Sequence, residues 1–101
     1  MVFKKSADTL FELKDYTSAT ILYFKTWFAI QDKILLEKIG KAPKDHAERF
    51  RLLESNFKRT YILLDKEFGT YRDTYSRLID DETAKRLKSL VENELNNYEI
   101  S

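Results

Sequence analysis

Residues 19–30, ATILYFKTWFAI, are the most apolar stretch of the chain and decide its fold class. Ser18, Lys25 and Asp32 are spaced seven apart, so they form one narrow polar line on an otherwise apolar helix. The stretch contains a lysine and is shorter than the roughly 20 apolar residues that cross a bilayer, which predicts a helix packed against protein and no membrane association. The chain has two glycines and one proline and no hairpin turn pair, so an all-α fold is expected.

The rest of the sequence predicts helices around this one. We expect an up-and-down four-helix bundle with an additional short helix, forming a single domain over residues 1–101. Asp15, Thr17 or Ser18 is suited to cap the second helix. The predicted helices run from Phe3 to Lys14, from Thr17 to Ile39 with Gly40 as terminator, from about Pro43 with Asp45 near its start, from Lys58 to Ile79, and from Asp80 or Asp81 onward.

The fourth predicted helix carries an apolar seam with alternating spacings of four and three. Gly69 interrupts this helix at a cost of about 1 kcal/mol relative to alanine, which indicates either close approach of a neighbour or plain tolerance. The seam residues are Phe57, Tyr61, Leu64, Phe68, Tyr71, Tyr75 and Leu78.

The second helix is apolar over more of its circumference than a monomeric bundle of this size requires. Either it is a central helix enclosed by the others, or one face packs inward and the other meets a second copy of the chain. We expect a homodimer, with Tyr23, Phe24, Trp27 and Phe28 as the residues at its interface.

Charge and composition exclude several functions. Lys and Arg total 18 against 17 Asp and Glu, giving a net charge of +1, which argues against nucleic-acid binding by bulk charge. The chain has no cysteine and one histidine, His46, so no metal site and no cofactor is expected. Residues 80–82, DDE, are better explained as helix-start residues than as metal ligands. The N-terminus lacks the apolar run of a signal peptide, and a cytoplasmic location is expected.

Three segments together resemble a HEPN domain, the small all-helical domain named for nucleotide-binding proteins of higher eukaryotes and prokaryotes. They are SADTLFELKDYTSATILYFKTWFAIQDKILLEKIG (6–40), KDH (44–46) and YRDTY (71–75). The resemblance implies a helical bundle that dimerises. It also implies one of two roles: a metal-independent ribonuclease of toxin–antitoxin and defence systems, or a module that pairs with a small nucleotidyltransferase.

The nuclease motif of that family is incomplete in this sequence. Arg72 and Asp73 match its first half, but the positions where the family has histidine hold Arg77, Leu78 and Ile79. On a continuous helix Ile79 would share the face of Arg72, and it has no titratable group. A proton acceptor contributes about 10²–10⁴-fold to such a reaction, so we expect no complete catalytic site. Arg72 and Asp73 are either a remnant of the motif or a structural charge pair.

His46, at the head of the third helix, is expected to have a structural role in preference to a catalytic one. Three functions therefore remain open: an interaction module for a nucleotidyltransferase, a ribonuclease with an altered site, and RNA or nucleotide binding without chemistry. Lys41 and Lys44 are expected to be solvated. Candidate RNA or nucleotide contacts are Arg72, Asp73, Arg77, His46 and Lys25.

Overall fold

The computed structural model describes residues 2–100, with side chains through residue 98, and confirms the all-α fold class. Those residues contain no strand, and none of their helices is long and apolar enough to cross a membrane. The radius of gyration of 13.3 Å is that of a compact domain of this length. The helices are α1 (Val2–Glu12), α2 (Tyr16–Ile39), α3 (His46–Asn56), α4 (Lys58–Asp73) and α5 (Asp81–Ile100).

Helix α2 lies at the centre of the bundle. Helices α1 and α5 pack directly on it, while α3 packs mainly on α4, which also touches α2. The aromatic residues predicted to form a dimer interface fill this core, since Tyr23, Phe24 and Trp27 are at most 1% exposed and Phe28 is 7% exposed. Their assignment to an interface is corrected, because a side chain already covered by its own chain offers no surface to a second copy. The enclosed central helix is the arrangement that the structure adopts.

Two buried hydroxyls of α2, those of Tyr23 and Thr26, have partners on α1 and on the helix's own backbone. The Tyr23 hydroxyl donates to Asp8 Oδ1 at 2.6 Å, and burial together with this carboxylate raises the pKa of Tyr23. Thr26 Oγ1 donates to the Leu22 carbonyl at 2.9 Å. The first of these bonds joins α1 to the middle of α2, so a fully buried tyrosine keeps its hydrogen bond.

The helix ends follow from side-chain caps. Asp15, Asp45 and Asp80 accept hydrogen bonds from backbone N–H groups three residues on. Of the three residues suited to cap the second helix, Asp15 is therefore the one that does so, and Asp45 and Asp80 cap the third and fifth helices. Helix α3 begins at His46, three residues after Pro43, because extended Asp45 caps it and the Glu48 carboxylate accepts the Lys44 N–H at 3.2 Å. This reciprocal arrangement resembles a capping box.

Helix α4 ends at Asp73, six residues earlier than predicted. Thr74 Oγ1 bonds the Tyr71 carbonyl at 2.6 Å, and the backbone closes with tight i→i+3 bonds, so local polar groups satisfy the last carbonyls. The seam therefore stops at Tyr71: Tyr75 is 72% exposed and Leu78 is 89% exposed. The expectation that both belong to the core is wrong.

Two ion pairs join α4 to α5. Arg59 Nη2 lies 2.9 Å from Glu94 Oε2, and Arg86 Nη2 lies 3.0 Å from Glu67 Oε1. Each helix supplies one buried glutamate and one exposed arginine. Because the pairs are equally spaced along two antiparallel helices, they are satisfied in one register only.

The two glycines give a matched stability test. Gly40 ends α2 with φ +71°, where alanine is strained by about 1–2 kcal/mol, so Gly40→Ala should lower the free energy of unfolding. Gly69 lies within α4 with open space around its Cα, so Gly69→Ala should raise it by about 0.5–1 kcal/mol. Urea unfolding midpoints would measure both changes. A destabilising Gly69→Ala would show that a neighbour approaches this glycine closely.

Candidate functional site

The predicted remnant of the nuclease motif is rearranged. Asp73 Oδ2 pairs with Arg77 Nη2 at 2.7 Å, on the outer surface. Of the two alternatives for Arg72 and Asp73, a motif remnant or a charge pair with each other, the structure does not form the charge pair. Arg72 is exposed and forms no hydrogen bond or ion pair with any side chain in the part of the chain that the structure describes. The guanidinium of Arg72 is consequently open to solvent.

The three positions where a proton acceptor was sought do not lie on the helix of Arg72. Because α4 ends at Asp73, the helical alignment of Arg72 with Ile79 is wrong. The Ile79 N–H instead donates to Thr17 Oγ1 at 2.8 Å, on α2. Arg77 is held by Asp73, and Leu78 points into solvent. None of these three residues, Arg77, Leu78 and Ile79, places a group that could accept a proton next to Arg72.

His46 is half-buried in an aromatic pocket. Its ring centroid lies 4.7 Å from that of Phe28, 5.3 Å from that of Phe68 and 5.9 Å from that of Tyr71. These rings come from α2 and α4, so His46 closes the edge of the core at the first turn of α3. His46 therefore packs against Tyr71. Within the described part of the chain, no hydrogen bond or ring contact joins His46 to Arg72.

Arg49, which the sequence analysis did not select, determines what His46 can do. It is 7% exposed, and its Nη1 donates to three acceptors on α2: the Phe28 carbonyl at 3.1 Å, Gln31 Oε1 at 3.3 Å and Asp32 Oδ1 at 2.7 Å. Its Nε donates to His46 Nδ1 at 3.4 Å. A signal was present in the sequence, since Arg49, Leu52 and Leu53 have the spacing of a buried helical stripe.

This hydrogen bond fixes the tautomer of His46. A guanidinium is always a donor, so Nδ1 must be the acceptor and the neutral ring carries its proton on Nε2. In this geometry His46 presents an N–H at Nε2 and packs against the surrounding aromatic rings.

Two tyrosines flank the end of α4, and Lys25 lies apart from them on α2. The Tyr71 and Tyr75 hydroxyls are 2.8 Å apart, and burial followed by this bond raises the pKa of Tyr71 to about 12, so the Tyr71 phenolate is not accessible near neutral pH. Lys25 is exposed on α2 and has no ion-pair partner among the described residues. The candidate contacts therefore do not converge on one site.

A hollow of about 310 Å³ at the start of α5 contains Asp73 and Arg77 together with Asp80 and Arg86. Both arginines are already paired, Arg77 with Asp73 and Arg86 with Glu67. Carboxylates thus neutralise the cations of the hollow, which makes it a poor site for phosphate.

A second cavity was not predicted from the sequence. It is a half-open cleft of about 840 Å³ between the C-terminal parts of α2 and α5 and the α3–α4 junction. Trp27, Ile30 and Leu53 are fully buried beneath it. Gln31 also lines it, and its Nε2 is buried without a hydrogen-bond partner among the described residues. The mouth carries Glu37, Lys38, Lys58, Arg59 and Glu94.

No protein-family model, curated protein or solved structure matches this chain. The HEPN resemblance is therefore carried only by residues 6–40, 44–46 and 71–75 of the sequence.

The pocket of His46 predicts a pH-dependent stability. Burial, and then the charge of Arg49, lower the pKa of His46 from its ordinary 6.5, against the opposing effect of Asp32 and Asp45. The unfolded chain therefore binds a proton more readily, and the free energy of unfolding should fall as the pH drops below 6.5 through the folded-state pKa.

Urea unfolding between about pH 7.5 and pH 5 would measure this loss. The variant His46→Gln keeps an acceptor for Arg49 and does not titrate. It should therefore lose less of its free energy of unfolding between these two pH values than the unaltered chain does. An identical pH profile in the variant would show that protonation of His46 does not oppose folding.

Proposed function

We propose that this chain is a HEPN-like helical module without catalytic activity that binds a partner protein, and that the partner is the small nucleotidyltransferase which the resemblance implies. The observation that carries the proposal is the exposed apolar surface within segment 74–80. Tyr75 and Leu78 expose 72% and 89% of their surface there, and exposed Arg72 and Arg77 flank them. Aromatic residues and arginine are enriched at protein interfaces.

The lack of a proton acceptor supports a role without catalysis. His46 Nδ1 accepts a hydrogen bond from Arg49, and burial and the bond to Tyr75 raise the pKa of Tyr71 to about 12. The carboxylate of Asp73 is paired with Arg77, and Leu78 and Ile79 have no titratable group. Arg72 could still hold a phosphate by charge-assisted hydrogen bonds, but it cannot replace the missing acceptor.

A dimer is part of the proposal, since the resemblance implies one. It would have to form through surface residues, because Tyr23, Phe24, Trp27 and Phe28 are used in the core. A role in a toxin–antitoxin or defence system is implied by the same resemblance, and we propose it together with the dimer.

RNA or nucleotide binding without cleavage is the second candidate, favoured by the exposed and unpaired guanidinium of Arg72. The pairing of Arg77 and Arg86 with carboxylates weighs against it.

Binding of the purified chain to a nucleotidyltransferase encoded beside it, measured by titration calorimetry, tests the proposal. The double substitution Tyr75→Ser with Leu78→Ser should weaken binding about tenfold or more. Leu36→Ser and Ile62→Ser change apolar residues that are 56% and 58% exposed elsewhere, and they should leave the affinity unchanged. Absence of binding, or equal losses in the controls, would contradict the proposal.

An RNA arm separates the alternatives. Cleavage of RNA that Arg72→Ala abolishes would replace the proposal with the ribonuclease. Binding without cleavage that weakens steeply with salt would support the second candidate.

A further inference from the structure

The cleft of about 840 Å³ has the size of a small-molecule site, because such sites occupy roughly 300–1,000 Å³ and are mostly apolar with a few polar groups. It is formed by α2, α5 and the α3–α4 junction and does not include segment 74–80. Its occupancy is therefore independent of the partner surface proposed above.

The cleft exists because the residues that flank its floor are polar. Trp27 and Ile30 on α2 lie beneath it, but α4 and α5 present Thr60, Arg59 and Asn97 at this level. These side chains cannot close over the floor as leucines would. The two helices are bridged at this end by the pair of Arg59 with Glu94, at 2.9 Å. Ile34 and Phe57 also line the cleft and are partly exposed. They present apolar surface to a ligand, while Trp27 and Ile30 lie beneath that surface.

The charges at the mouth do not cancel. Glu94 is paired with Arg59, and Glu37 Oε1 accepts the hydroxyl of Tyr98 at 2.7 Å. Lys38 and Lys58 are exposed, and neither forms an ion pair with any side chain between residues 2 and 98. Lys58 Nζ lies 5.4 Å from the centroid of the Tyr61 ring, a contact that leaves its charge uncompensated. The excess charge at the mouth is positive.

We propose that the cleft binds a small amphipathic anion, with an unbranched or aromatic apolar body against Ile34 and Phe57 and a carboxylate or similar group toward Lys38 and Lys58. Trp27 lies directly beneath this apolar surface. The apolar body replaces water on the floor, and the anionic group meets the two unpaired ammonium groups. A neutral amphiphile has no partner at the mouth, and a cationic one meets repulsion there.

Trp27 is the only tryptophan of the chain, so its fluorescence reports on the floor. Decanoate, decanol and decyltrimethylammonium share a chain length and differ in charge, which makes them matched probes below their micellar concentrations. Decanoate should bind most tightly, about tenfold more tightly than the cation. Its affinity should exceed that of octanoate by roughly two- to fourfold for each added CH₂. Equilibrium dialysis of the same probes gives a second, independent readout.

Substitutions then locate the site. Lys58→Glu places an acid in the first turn of α4, where it is favourable for the helix, and it should reverse the preference between decanoate and the cation. Lys25→Glu makes the same change of charge outside the cleft and should have no effect. Thr60→Phe should fill the cleft and abolish binding, while Ile62→Phe, on the exposed side of the same helix, should not.

Each remaining outcome overturns the proposal. Absence of binding in both readouts excludes the site, equal affinity for the three probes excludes the anionic preference, and unchanged binding in Thr60→Phe excludes the cleft. Circular dichroism of every variant confirms that it is folded.

Discussion

The arrangement depends on the burial of α2 within a single chain. The rings of Tyr23, Phe24 and Trp27 are large, and burying such a side chain stabilises a fold by roughly 1.5–3 kcal/mol. To cover them, α1 and α5 pack directly on α2, and α4 reaches it from the α3–α4 side. Because these rings are buried in the core, any surface that binds a partner must be formed by other, exposed residues.

Polar bonds fix the other elements onto this central helix. The Tyr23 hydroxyl binds Asp8 on α1, Arg49 on α3 binds three oxygens of α2, and Thr17 accepts the N–H of Ile79 in the segment before α5. Hydrogen bonds of this kind are directional, so they define the position of each element more closely than apolar contact does. The same bond network occupies the Nδ1 lone pair of His46.

Much of the fold was predictable because its signals are local. The apolar stretch 19–30, the capping aspartates and Gly40 gave the helix class and several helix ends. The end of α4 was missed because the seam spacing continues to Tyr75 and Leu78, while the stop signal lies in the hydroxyl of Thr74. The cleft and the partners of Arg49 were also missed, since both arise from contacts between distant helices. The helical spacing of Arg49 with Leu52 and Leu53 indicates that it is buried but does not reveal which groups it binds.

The central claim is that the aromatic residues of α2 are buried in one chain. The most direct test is the quenching of Trp27 fluorescence by acrylamide at a series of protein concentrations. Light scattering at each concentration reports whether the chain is monomeric. The account predicts that Trp27 is shielded at the lowest concentration, where only the monomer is present, and equally shielded at higher concentration. A Trp27 that is accessible in the monomer and becomes shielded only as chains associate would contradict it.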